Sequence, residues 1–127
     1  MLTVSGATAA VLSILLTALS INVSRLRIKY RVSYGHADHR DLEVAIRAHG
    51  NALEQVMLFM ILLICAETMT TTKPLLAWAA ATFVFVRLVH SVALFARLLP
   101  VRQIAHTATV LLQLLLAGFL LYAVWSR

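Results

Sequence analysis

Four long apolar stretches separated by short polar punctuation make up nearly all of this chain. Residues 2–24 contain no charged side chain. A second apolar stretch covers 44–68, a third 74–96 and a fourth 100–125. Each is about as long as the ~20 helical residues that cross a hydrocarbon core. Pro74 and Pro100 stand at the starts of the third and fourth stretches, where proline is tolerated in a first helical turn. The links after the second and third stretches, Thr70 to Lys73 and Arg97 to Arg102, are short. Short connections predict antiparallel neighbours, hence an all-α, up-down-up-down four-helix membrane bundle formed by residues 1–127 as one unit. The longer first link holds Tyr34-Gly-His-Ala-Asp38, which reads as a turn.

Composition supports the membrane reading. The chain has 127 residues, 61% hydrophobic and only 13% charged, against about 25% charged in an ordinary soluble domain. The first stretch lacks a charged leader region and is too long for a cleaved signal peptide, so it reads as a retained span. The net charge is +6. The basic residues flank apolar spans and do not line an exposed helix, which argues against nucleic-acid binding and for contact with lipid headgroups. Arg25, Arg27, Lys29, Arg31 and Arg40 lie in or beside the first link, and Arg97 and Arg102 beside the third. The positive-inside rule then places both links in the cytoplasm and both termini outside it. Cys65 is the only cysteine; it has no basic neighbour to activate it and reads as a packing residue. His36 and His39 near Asp38 and Asp41 match no metal-ligand spacing, and no metal is expected.

Candidate chemistry is confined to a few polar positions inside the spans. Arg47-Ala-His49-Gly-Asn51-Ala-Leu-Glu54 opens the second stretch. Arg47, Asn51 and Glu54 recur at i, i+4, i+7 and share one helical face. The third stretch carries Arg87-Leu-Val-His90, again on one face. An arginine near a helix centre costs roughly 2.5–3.5 kcal/mol on insertion scales, so a partner is expected, and Glu54 lies at a compatible depth. The sequence thus predicts that Glu54 and Arg87 approach each other, directly or through a ligand. A network that only fixes helix register remains open. The excess of buried cation over carboxylate favours an anionic ligand instead. Arg102 lies near the start of the fourth helix, where backbone N–H groups also favour negative charge; on residue statistics alone the positive-inside rule favours a membrane-surface anchor over an anion-binding role. His106 and Gln113 read as helix–helix hydrogen-bonding groups.

The motif around residues 47–54 resembles the Arg-Ala-His-x-Asn-x-x-Glu signature of the MAPEG superfamily, membrane-associated proteins in eicosanoid and glutathione metabolism. Length, four spans, a basic first link, Glu43, Arg87-x-x-His90 and Pro100-x-Arg102 extend the resemblance over most of the chain. The resemblance implies a homotrimer with glutathione bound between neighbouring subunits in the cytoplasmic half of a bacterial inner membrane. It implies that Arg25, Asn51, Glu54, His90 and Arg102 contact glutathione as co-substrate, with Arg102 facing the thiolate. Arg47, His49 and Arg87 would support them structurally. Several positions depart from the family pattern: Gly50 stands where mammalian members often carry a basic residue, Met57 where many have Pro, Leu94 where several have Tyr, and Gln103 where one synthase has Ser.

Three functional classes follow. The first is a glutathione S-transferase, with or without peroxidase activity, acting on a lipophilic electrophile that enters from the membrane. The second is a non-catalytic lipid-binding or scaffold protein of the same fold. The third, a small proton-coupled exporter, is disfavoured by a first span with no charge.

Overall fold

The computed structural model describes residues 1–70 and 73–126. Thr71 and Thr72 of the second link and Arg127 at the C-terminus lie outside the described residues. Four helices account for the architecture: α1 (Thr3–Tyr30), α2 (Arg40–Met69), α3 (Lys73–Phe95) and α4 (Leu99–Trp125). All four are long and apolar enough to cross a membrane. α1 and α2 run further than the apolar stretches indicate. Their basic ends, Arg25 to Tyr30 and Arg40 to Glu43, stay helical, because charge removes a residue from lipid without breaking the backbone ladder.

The helices alternate in direction. The start of α1 meets the end of α2 through Ser5 and Glu67, and the end of α1 meets the start of α2 through Tyr30 and Asp41. Around the bundle the order is α1, α2, α4, α3; α2 and α3 also touch across the middle, whereas α1 and α4 make no close backbone approach among the described residues. α2 and α3 are therefore the central pair. Phe59 and Phe83 stack between them with centroids 3.7 Å apart and planes 6° from parallel. Leu12, Leu63, Leu76 and Leu116 close this larger core. Small side chains let the helices approach at the other end, where Ala48 and Ala52 pack on Leu19 and Leu94; such residues are favoured at helix contacts in lipid.

Two helix ends close in the same way. Arg31 and Arg97 both adopt left-handed φ, 54° and 58°. After each, an N–H reaches back five residues, Val32 to the Arg27 carbonyl and Leu98 to the Ala93 carbonyl. This is the Schellman arrangement, here with arginine where glycine is usual. Arg27 then gathers the first link by donating to the carbonyls of Val32, Ser33 and Gly35. Tyr30 donates to Asp41 at 2.6 Å and stacks on His39 at 3.9 Å. The turn read at residues 34–38 is present, with positive φ at Gly35, Ala37 and Asp38.

Candidate functional site

A cavity of about 370 Å³ opens between α2, α3 and α4 near the first and third links. α2 contributes Arg47, Gly50, Asn51 and Glu54, which come to one side because of their i, i+3, i+4 and i+7 spacing. α3 contributes His90 and Leu94, one turn apart, and the first turns of α4 contribute Arg102, Gln103 and His106. Four of the five residues expected to contact a ligand, Asn51, Glu54, His90 and Arg102, therefore share one space. Arg25 does not. It is exposed on α1, donates to Asn22 at 3.0 Å, and lines a separate cavity with Asp41 and Arg97.

Arg87 supports this cavity from behind. It is fully buried. One guanidinium nitrogen donates to Asn51 Oδ1 at 2.8 Å, and the same nitrogen lies 3.3 Å from His90 Nδ1. The other terminal nitrogen reaches Thr109 Oγ1 at 3.4 Å, while Nε has no hydrogen-bond partner among the described residues. The direct Glu54–Arg87 pairing expected from depth alone is not formed. Asn51 and Glu54 are three residues apart and thus about 60° apart around the helix. α2 is rotated so that Asn51 turns toward Arg87 and Glu54 toward the open side. Glu54 is exposed and has no ion pair among the described residues.

The cavity is electropositive. Arg47 pairs with Glu43 at 2.9 Å while remaining well exposed. Arg102 is half-buried and has no carboxylate partner among the described residues. His106 lines the cavity with its ring centroid 6.2 Å from that of His90. It makes no helix–helix hydrogen bond among the described residues, unlike Gln113, which donates to the Gln55 carbonyl at 3.0 Å. His49 is half-buried and does not line the cavity. A side chain added at Gly50 would meet nothing within 4 Å, so this glycine leaves the cavity wide. Cys65 is exposed on α2 and does not pack into the core.

One polar centre went unread in the sequence. Glu67, near the end of α2, is almost fully buried. Its carboxylate accepts from the backbone N–H groups of Val4 and Ser5 at 3.0 and 2.7 Å, from Ser5 Oγ at 2.6 Å and from Lys73 Nζ at 2.9 Å. Lys73 also donates to the Met1 carbonyl. The carboxylate thus caps α1 from another helix, satisfying N–H groups that have no intrahelical acceptor. The available signal was weak: a lone glutamate at the end of an apolar run, with Thr3 and Ser5 starting another.

The chain is 33% identical over 125 residues to the inner membrane protein YecN of Escherichia coli strain K12, covering 97% of this chain and 95% of that protein. YecN of Escherichia coli O6:H1, strain CFT073, matches to the same extent. No solved structure matches. The profile of the MAPEG family covers residues 5–122, so the chain belongs to the MAPEG family.

Proposed function

We propose that the protein is a membrane-bound glutathione S-transferase that activates the glutathione thiol for attack on a lipophilic electrophile. The observation carrying this reading is the convergence of Asn51, Glu54, His90 and Arg102 on one electropositive cavity. Glutathione has two carboxylates, one ammonium and one thiol. Glu54, without an ion pair among the described residues, suits the ammonium, and the arginines suit the carboxylates. Arg102 lies at the first turn of α4, which has no side-chain cap. Guanidinium and helix N-terminus both favour a thiolate there. Lowering a thiol from about 8.5 to about 7 requires roughly 2 kcal/mol of preferential stabilisation of the anion. The electrophile then only needs positioning beside the thiolate, so orientation and electrostatics supply the rate.

In this reading the protein is a homotrimer in a bacterial inner membrane, with both termini on the non-cytoplasmic side. Each glutathione lies between subunits, where Arg25 arrives from the neighbour's α1. The test is the ultraviolet absorbance of the thiolate on adding glutathione to purified protein in detergent, beside Arg102→Leu. A rise in wild type that is lost in the variant supports thiol activation; equal signals refute it.

A second reading has one observation in its favour. An apolar groove of about 590 Å³ lies between α1 and α3, lined by Ala7, Val11, Ala77, Val84 and Phe85 among others. Its chemistry suits an acyl chain. A lipid retained there, with no response to glutathione, would indicate the non-catalytic lipid-binding member of the fold.

A further inference from the structure

Beside the thiol cavity lies a second one, of about 330 Å³, whose polar lining consists of four arginines and a single glutamate. Arg47 and Arg102 are common to both cavities; Arg40 and Arg97 belong to the second and not the first. The one carboxylate, Glu43, is already committed to Arg47 at 2.9 Å. Arg40, Arg97 and Arg102 have no carboxylate partner among the described residues. Leu99, at the uncapped start of α4, lines the same space, which adds the N-terminal end of a helix dipole to the three free guanidinium groups. The left-handed residue that ends α3 is Arg97 itself, so the closing turn carries a cation to this mouth.

We infer that this second cavity is a phosphate-binding site. Three guanidinium groups without a carboxylate partner among the described residues line one concavity, which makes it a favourable place for an anion. A single carboxylate offers two oxygens and one charge. A phosphate group offers more acceptor oxygens in the geometry that the arginine fork matches. The phosphate comes either from a membrane lipid headgroup, since the cavity lies where α3 turns into α4 at the end of the spans, or from a soluble phosphate compound. The site shares Arg47 and Arg102 with the thiol cavity but not Glu54 or His90, and Arg40 and Arg97 belong to it alone, so its test can fail or succeed separately from the thiol reading.

Two measurements on the full-length protein test this and separate the sources. Thermal unfolding in neutral detergent is followed on adding inorganic phosphate against chloride at equal ionic strength. Selectivity for spin-labelled phosphatidylglycerol over spin-labelled phosphatidylcholine is measured after reconstitution in phosphatidylcholine vesicles. Each is repeated with Arg40→Gln/Arg97→Gln, whose side chains are exposed, and with Lys29→Gln/Arg31→Gln as a control for diffuse charge at the same end. One surface cation contributes about fivefold in affinity for an anionic headgroup, so the double variant should lose at least about fivefold in whichever response the wild type shows. Lipid selectivity points to a headgroup, and a response to phosphate alone points to a soluble compound. Neither response in wild type, or an equal loss in the control variant, overturns the site. Glu54→Gln, which alters only the thiol cavity, should leave both responses unchanged even if glutathione binding fails.

Discussion

The pairing of Arg87 with Asn51 yields a quantitative prediction. Arg87 is fully buried and takes its best oxygen from Asn51 at 2.8 Å; Thr109 is more distant at 3.4 Å. Replacing Asn51 by Leu keeps the branching at Cγ, with a somewhat larger side chain, and removes that acceptor, leaving a buried cation short of partners. A hydrogen bond to a charged group contributes about 1.5–3 kcal/mol, whereas interhelical hydrogen bonds in membranes average ~0.6 and reach ~1.7 kcal/mol. The charge places this one near the upper membrane value, about 1.5 kcal/mol. Arg87→Met removes the cation itself, and Asn51 then faces an open cavity where water serves it. The two changes together should cost about 1.5 kcal/mol less than the sum of the single costs. The assay is reversible unfolding in mixed micelles, read by helical circular dichroism for the wild type, both single variants and the double. Glu54→Gln with Arg87→Met should be additive within about 0.5 kcal/mol, because the two side chains form no direct pair. Coupling below about 0.5 kcal/mol for Asn51, or larger coupling for Glu54, would refute this account of how Arg87 is held.

Other consequences follow from the same structure. Glu67→Ala should destabilise the protein by about 1–2 kcal/mol, since it uncaps α1 while the partly exposed Lys73 can turn to water; hydrogen exchange at the Val4 and Ser5 amides should accelerate, and unchanged exchange would exclude the capping role. Gly50→Ala should stabilise the fold by about 0.5–1 kcal/mol, because a helix-interior glycine is replaced where a new Cβ meets open space; a loss of stability in the same micelle assay would show that the cavity wall is tighter than described. Arg27→Gln should loosen the first link, which Arg27 holds through three carbonyls, and trypsin should cleave faster after Arg31. An unaltered cleavage rate would mean that the Tyr30–Asp41 contact suffices.

The four spans were legible because burial in lipid is decided residue by residue: an uncharged run of twenty or more residues has few other places to go. Helix ends were less legible. Arg25 to Tyr30 and Arg40 to Glu43 are helical despite their charge, since leaving the hydrocarbon does not require leaving the helix. The cavity residues were readable for a similar reason. Spacings of three, four and seven place Arg47, Asn51 and Glu54 on one side of any α-helix, and Arg87 with His90 on one side of another.

What those spacings do not contain is the rotation of one helix against its neighbour. A turn of about 60° separates a bundle in which Glu54 meets Arg87 from one in which Asn51 does. That angle is set by how Phe59 seats on Phe83 and how Ala48 and Ala52 admit Leu19 and Leu94. Glu67 illustrates the same limit over a longer range, because the backbone N–H groups it caps, those of Val4 and Ser5, lie more than sixty residues away in α1. By itself the sequence determined four membrane-length helices and two polar faces. Only tertiary packing decided which polar atom meets which, because each helix's rotational phase is a property of the whole bundle's packing and not of any local pattern.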